Sequence, residues 1–285
     1  MALQARTDLA SEAHRLWRQS EKSCRELPGV KLREMHMEGL PVTAVEILDS
    51  RGVEALEKPV GKYFTLELEK RFDRGSPGFP SAARALSRLI RQCLPDSYER
   101  VLIAALGNPD ITPDALGPLC ASHVIVTRHL KQALPEDFCA FREVSLCRTG
   151  VLGTTGMESA AQIHSLCQRF RPDCVIAVDA LAGADSSRLC STIQVCSSGI
   201  APGSGVGNDR EALSEESLGI PVVALGMPTV IDASLFSGEE TLASYFVTPR
   251  SIDTSVRNAG KLIAYGINLA LHKGLRLEDV DLLVG

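Results

Sequence analysis

Between residues 101 and 225 the chain alternates short, continuous apolar runs with helical or glycine-rich segments. Continuous apolar runs are typical of strands that are covered on both faces, and strands that alternate with helices predict a parallel sheet. We therefore expect an α/β fold with three layers, in which helices cover both faces of a mostly parallel sheet. The predicted strands are 101–106, 123–126, 174–178, 191–195 and 221–225, and the predicted helices are 115–121, 157–170 and 251–271.

The N-terminal part of the chain has a different pattern. Apolar and small residues recur at helical spacing from Leu9 to Cys24, which predicts an amphipathic helix capped by Thr7 or Asp8. Alternating segments then predict three strands, at 30–38, 42–48 and 63–68. We expect these strands to form an accessory β subregion over residues 30–70, followed by a loop over 74–80 and a helix over 81–94.

Composition narrows the class of protein. The length of 285 residues suits one large α/β domain, and the formal charge of −5 argues against broad nucleic-acid binding. The nine cysteines are odd in number and lack the close pairs of a zinc ribbon, so we expect reduced thiols. The N-terminus shows neither a secretory signal nor a membrane span, and we expect a cytoplasmic protein.

Two apolar runs lead to aspartates. The run at 101–107 precedes Asp110 and Asp114, and the run at 174–178 is followed at once by Asp179. The carboxyl ends of parallel strands line the ligand crevice of such sheets, so these carboxylates can share one substrate. A close pair with one ionised and one protonated carboxyl can activate water against an amide bond. Helix capping is the alternative, above all for Asp114.

A second candidate is the glycine-rich loop at 198–208, which has glycines at 199, 203, 205 and 207. Glycines let backbone N–H groups face an anion or a peptide carbonyl, so the loop is either a substrate or oxyanion loop or a tight connection. It lacks the lysine of a phosphate-binding loop, and the glycines that a serine-hydrolase elbow needs two positions before and two positions after Ser204 are replaced by Pro202 and Val206. The six histidines show no metal-binding spacing, and we predict neither a metal nor a cofactor.

Several short motifs follow one another in an order found in one peptidase family. They lie at 6–10 with 12–13, 112–118, 127–130, 179–182, 198–200, 202–208 and 218–222. On these motifs, which cover most of the chain, the sequence resembles the germination proteases of spore-forming bacteria, peptidases that degrade small acid-soluble spore proteins. The resemblance implies an aspartate-dependent endopeptidase whose functional carboxylates match Asp114 and Asp179. The loop that would line this site comprises Gly203, Ser204, Gly205, Gly207 and Asn208.

The same resemblance implies a precursor that removes its own N-terminal segment. Residues 7–12 are similar to the sites cut in the spore proteins, which combine an acidic, a large apolar, two small and another acidic residue. We therefore expect self-cleavage between Asp8 and Leu9, giving a propeptide of residues 1–8 and a single peptidase domain of residues 9–285. The family also implies a homotetramer, located in the forespore and spore core, with small acid-soluble spore proteins as substrate.

The chain departs from the family in one region. Only about 15 residues separate the segment 229–233 from Thr248, where the family carries a long segment. The resemblance therefore supports the tetrameric state of this chain less strongly than it supports the peptidase chemistry. Two alternative functions remain at this point. One is a metal-dependent peptidase of the hydrogenase-maturation type, and the other is a non-catalytic factor that binds spore proteins.

Overall fold

The computed structural model describes residues 7–21, 27–68, 72–207, 210–237, 242 and 245–285. Strands and helices alternate along most of this part of the chain. The strands are β1 (Val30–Met37), β2 (Leu40–Ile47), β3 (Gly61–Glu67), β4 (Arg100–Leu106), β5 (Glu143–Gly150), β6 (Cys174–Gly183), β7 (Thr192–Cys196), β8 (Val222–Asp232) and β9 (Phe246–Val247). The helices are α1 (Ala10–Glu21), α2 (Ser50–Leu56), α3 (Phe79–Cys93), α4 (Leu116–Ala121), α5 (Arg128–Ala133), α6 (Leu152–Thr155), α7 (Ser159–Phe170), α8 (Glu215–Leu218), α9 (Ser234–Ser237), α10 (Ile252–Leu271) and α11 (Leu277–Val284), with 3-10 turns at Thr112–Asp114 and Ser204–Val206.

One sheet contains all the described strands, in the order β1-β2-β3-β7-β8-β6-β4-β5, with β9 paired to β8. The four strands β8, β6, β4 and β5 are parallel, as expected for the core of an α/β fold. The N-terminal strands continue the same sheet, because β3 pairs antiparallel with β7 and β7 pairs antiparallel with β8. The predicted α/β class is confirmed, and the accessory subregion is an antiparallel extension of the main sheet.

Helices cover both faces of the sheet, which explains the continuous apolar runs. Along β4, Val101 and Ile103 pack in the cluster formed with α3, α4 and α10. Leu102 and Ala104 point to the opposite face and pack in the cluster that includes residues of α1 and α7. Successive side chains of a strand alternate between faces, so a strand buried on both sides must be apolar at every position.

Two predicted elements need correction. Residues 123–126 are not a strand, because the Ile125 N–H donates to the Asn268 side chain of α10 (2.9 Å) and not to a neighbouring strand. Val124 and Ile125 are nevertheless buried, which explains the strand-like pattern. The helix predicted from Leu9 to Cys24 is observed as α1, and positions 22–24 lie outside the described residues. The helix predicted at 81–94 begins two residues earlier, at Phe79, inside the predicted loop.

The cysteines within the described ranges are all free, and six of these eight are buried. Burial raises the pKa of Cys93 to about 12 and that of Cys174 to about 12, so these thiols are protonated at neutral pH. They pack as small apolar side chains. None of the described helices combines the length and the apolar character that a membrane crossing requires.

His272, at the end of α10, predicts a pH-dependent stability. Its side chain packs 5.0 Å from the Phe141 ring and is 2% exposed. Burial, with smaller effects from the charges of Lys131 and Arg142, lowers the pKa of His272 to about 4. In the unfolded chain the imidazole of His272 binds a proton near pH 6.5, whereas in the folded protein it does so only near pH 4. The contribution of the neutral His272 to the free energy of unfolding is therefore fully present above pH 6.5 and is lost as the pH falls toward 4.

We expect the free energy of unfolding to fall by about 2 kcal/mol between pH 7 and pH 5 because of this one group. Urea unfolding at the two pH values measures the change. The His272→Gln variant is the control, since its side chain does not titrate. Equal losses of stability in the wild type and the variant would contradict the assignment.

Candidate active site

The first aspartate lies beyond the end of β4. Gly107 follows the strand with φ +102°, a left-handed conformation that favours glycine. The 3-10 turn Thr112–Asp114 folds back over it, and the Asn108 N–H donates to Asp114 Oδ2 (2.9 Å) and to the Asp114 carbonyl (3.1 Å). A Cβ on Gly107 would lie 2.0 Å from that carbonyl oxygen. The glycine therefore permits the close approach that places Asp114 at the strand end.

The capping interpretation of Asp114 is wrong. Helix α4 begins after Ala115 as its N-cap and has no side-chain cap hydrogen bond, because the Asp114 carboxyl turns toward Asn108. Asp110, the other aspartate of this turn, is exposed and does not line the crevice described below. Asp114 is therefore the aspartate of this turn that is available for chemistry in the crevice.

The second aspartate, Asp179, lies within β6. The sequence predicts that the strand ends before it, but β6 continues to Gly183 and Asp179 pairs in register with Gly226 of β8. The longer β8 provides a partner for these extra residues, which a local apolar pattern does not reveal. Asp179 is 5% exposed, and its Oδ1 accepts a hydrogen bond from the Ala180 N–H (2.9 Å).

The two carboxyl groups differ in their electrostatics. Burial raises the pKa of Asp179 well above its usual range, and the negative charges of Asp114 and Asp8 raise it further. Burial also raises the pKa of Asp114, but the Asn108 N–H and the charge of Arg210 oppose that rise. The pKa of Asp179 is therefore raised more strongly than that of Asp114, which favours a pair in which Asp179 keeps its proton and Asp114 ionises first.

Both carboxyl groups line one crevice of about 530 Å³ at the carboxyl end of the parallel strands. This volume suits a segment of a peptide or a small molecule. Seven separate stretches of the chain form its walls, including the glycine-rich loop and the N-terminal segment. The polar and glycine residues of the lining that bear on chemistry are Asp8, Gly107, Asp114, Gly150, Ser159, Asp179, Gly203, Gly205, Arg210 and Thr229.

The glycine-rich loop lies at this crevice. Gly203 and Gly207 have φ +74° and +77° and enclose the 3-10 turn Ser204–Val206. Gly203 and Gly205 line the crevice, and the Ser204 hydroxyl donates to Asp8 Oδ1 (2.9 Å). Asn208, the last predicted residue of this loop, lies outside the described residues.

The N-terminal segment crosses the sheet next to the aspartate pair. The Asp8 N–H donates to the Ala182 carbonyl (2.9 Å), and the Ala182 N–H donates to Asp8 Oδ2 (2.8 Å). The Gln194 side chain donates to the Asp8 carbonyl (3.0 Å) and accepts from the Ala10 N–H (2.9 Å). One amide side chain thus holds the backbone on both sides of Leu9, which is fully buried.

Gln194 and Asp179 lie in one row across the sheet. Each is the register partner of Gly226 in β8, one from β7 and the other from β6. Side chains of register partners point to the same face, so the carboxyl and the amide both face the side covered by α1. The bond that the resemblance predicts to be cut, between Asp8 and Leu9, therefore lies on the same face as Asp179.

A buried carboxylate anchors the same segment. Glu12 is fully buried, and its Oε2 accepts hydrogen bonds from the Thr7 hydroxyl (2.6 Å) and the Ala184 N–H (2.7 Å). Its Oε1 has no hydrogen-bond partner among the described residues. A buried polar group with few partners is costly, so Glu12 fixes the path of the N-terminal segment at the expense of stability.

Sequence reasoning missed two residues of this site. Gln194 carries the amide side chain in β7, whose other residues are threonine, isoleucine, valine and cysteine. A buried amide in a strand indicates a specific hydrogen-bonding role, so this residue could have been found from the sequence. Arg210 lines the crevice and pairs with Glu158 (3.2 Å). Nothing in its local sequence distinguishes it from a surface arginine.

Over the ranges that the structure describes, no three histidine, cysteine, aspartate or glutamate side chains converge in an arrangement suited to a metal ion. The chemistry that the arrangement supports is that of two carboxyl groups with separated pKa values beside a backbone segment that the Gln194 side chain holds by two hydrogen bonds.

Comparison with known proteins gives a consistent result. The family model described as "Germination protease" matches residues 3–242. The chain is 40% identical to the germination protease of Caldanaerobacter subterraneus subsp. tengcongensis, covering 100% of this chain and 99% of that protein. It is 34% identical to that of Clostridium tetani (98% and 99%) and 38% identical to that of Bacillus cereus strain G9842 (96% and 76%). The alignment with the first relative spans 328 residues, so that relative carries residues that this chain of 285 lacks.

Among solved structures, the chain is similar to a [NiFe] hydrogenase maturation protease, HycI from Thermococcus kodakarensis KOD1. The two are 17% identical with a TM-score of 0.36, over 64% of this chain and 97% of the other. This likeness is too slight to support an argument about function.

Proposed function

Because the chain belongs to the germination protease family and is therefore a protease, we propose that it starts the degradation of small acid-soluble spore proteins. In this proposal it acts as an endopeptidase in the spore core during germination. The observation that carries the proposal is the pair Asp114 and Asp179 in one crevice, with the pKa of Asp179 raised more strongly than that of Asp114. Such a pair supplies both the base and the acid that amide hydrolysis needs.

In the proposed mechanism, Asp114 takes a proton from a water molecule as the water oxygen attacks the scissile carbonyl carbon. Asp179 gives its proton to the carbonyl oxygen, which produces a neutral tetrahedral intermediate. The C–N bond then breaks, the leaving amine takes the proton held by Asp114, and Asp179 recovers its proton from a hydroxyl of the intermediate. The protonation states of the pair are restored, and water has been added across the peptide bond.

We also propose that the chain is made as an inactive precursor that cuts itself between Asp8 and Leu9. Asp8 lines the crevice, and the Gln194 amide holds the backbone on both sides of this bond. An N-terminal segment in this position occupies space that a substrate needs. Its removal would open the crevice and give a mature domain that begins at Leu9.

The test is incubation of the purified chain with a small acid-soluble spore protein. We expect the spore protein to be cut at internal sites and the enzyme itself to become shorter by residues 1–8, with Leu9 as its first residue in N-terminal sequencing. The Asp179→Asn variant, incubated in parallel, is the control and should keep its original N-terminus. Fully active enzyme that still begins at Met1 would defeat the precursor proposal, and an intact spore protein would defeat the substrate proposal.

A further inference from the structure

The N-terminal segment contacts the edge of β6 within the crevice. The last register pair between β4 and β6 joins Ala105 and Val178, so β4 no longer covers that edge of β6 beyond this point. Asp8 lies against this edge, because its N–H donates to the Ala182 carbonyl (2.9 Å). Backbone hydrogen bonds to the free edge of a strand are a common mode of peptide recognition, in which pockets for side chains give specificity.

The side chain of Asp8 has such a pocket. Each of its two carboxylate oxygens accepts one hydrogen bond, Oδ1 from the Ser204 hydroxyl (2.9 Å) and Oδ2 from the Ala182 N–H (2.8 Å). A backbone N–H can only donate, and a carboxylate is the side-chain group that accepts at both oxygens. The two donors are therefore matched to an acidic side chain.

The shape of the pocket depends on Gly205. A Cβ at this position would lie 2.3 Å from Asp8 Oδ2 and 2.6 Å from the Ala182 Cβ. The glycine leaves the space that the carboxylate occupies, so the loop backbone packs directly against the acidic group. Gly205 is therefore required for space beside the carboxylate, in addition to the backbone freedom that a glycine provides.

We propose that the Ser204 hydroxyl and the Ala182 N–H, with Gly205 as the wall, form the subsite that selects an aspartate or glutamate immediately before the cleaved bond. Asp8 is then a tethered copy of the substrate's acidic residue. The proposal deepens the proposed function and rests on it, because it names the side chain that the same crevice recognises. Ser204 is a specificity residue here and takes no part in the transfer of protons.

The test compares two peptides and two enzymes. One peptide has the sequence of residues 3–14 of this chain, and the other has alanine at the position of Asp8. A hydrogen bond to a charged group contributes enough to change kcat/KM by about 10- to 100-fold. We therefore expect Ser204→Ala to lower kcat/KM by that factor for the acidic peptide and by less than about 3-fold for the alanine peptide. Ser165→Ala, which removes an exposed helix hydroxyl, is the matched control and should leave both values unchanged.

Equal losses on the two peptides, or no loss on either, would overturn the subsite while leaving the peptidase proposal intact. If the wild type cuts neither peptide nor a spore protein, the proposed function fails, and hydrogen exchange in the full chain then decides the subsite. In that measurement Ser204→Ala should speed exchange in the peptide that covers residues 7–16, because the docked segment loses one of its contacts. Unchanged exchange would overturn the proposal.

Discussion

Replacing either aspartate of the crevice with asparagine is expected to lower peptidase activity by about 10²- to 10⁴-fold, the range for loss of a positioned acid or base. In the proposed mechanism, Asp114→Asn removes the carboxylate that accepts a proton from water. Asp179→Asn removes the proton that the scissile carbonyl would receive. Because the two groups act on the same step, the double variant should be little worse than either single variant. Rates of self-processing and of peptide cleavage measure these losses.

Stability provides the control, because Asp179→Asn should not weaken the fold. The pKa of Asp179 is higher in the folded protein than in the unfolded chain. The Asp179 side chain therefore does not lower the free energy of unfolding at a pH below the unfolded-state pKa, and it lowers that free energy increasingly as the pH rises toward the folded-state pKa. An asparagine at this position keeps an acceptor for the Ala180 N–H and has no charge to bury. We expect equal or higher free energy of unfolding at pH 7 for this variant. Normal self-processing by both asparagine variants would contradict the carboxylate mechanism. Loss of wild-type peptidase activity on treatment with a chelator would favour the alternative of a metal-dependent peptidase.

The parallel core of the fold was predictable because its signal is local. The strands β4, β6 and β8 are buried on both faces, and each begins within one residue of its predicted start. Strand β5 was missed because Ser145 and Arg148 interrupt its apolar pattern near the edge of the sheet. The position of β7 between β3 and β8 was also beyond prediction, because it depends on pairing between residues far apart in sequence. Long-range pairing of this kind leaves no periodicity in a single chain.

The candidate site divides in the same way. Topology brings Asp114 and Asp179 to one end of the sheet, and this much follows from the rule that parallel strands share their carboxyl ends. The position of Gln194 next to the N-terminal segment follows only from the register of β7 on β8. The electrostatic difference between the two aspartates depends on burial and on Arg210, which no sequence spacing encodes. Local sequence patterns therefore predict the position of the candidate site, and tertiary packing determines how the properties of the two aspartates differ.

Gly107→Ala is expected to cause a large loss of both stability and activity. The position has φ +102°, and the new Cβ would lie 2.0 Å from the backbone carbonyl oxygen of Asp114 and 3.1 Å from its Oδ1. The close contact is with backbone, so it cannot be relieved by rotating a flexible side chain. We expect the free energy of unfolding to fall by about 3 kcal/mol, at the upper end of ordinary single substitutions. Urea unfolding at pH 7 measures this change.

The activity should fall further than instability alone explains, because the substitution displaces Asp114, the proposed base. A shift of about 1 Å in a catalytic group can cost about 10²-fold in rate. The matched control is Gly153→Ala in α6, which has open space around its Cβ and should leave the activity unchanged and the stability equal or slightly higher. The rate of the folded Gly107→Ala protein, measured well below its melting temperature, separates the two effects. A folded variant with wild-type activity would show that the position of Asp114 over the end of β4 is not needed for catalysis.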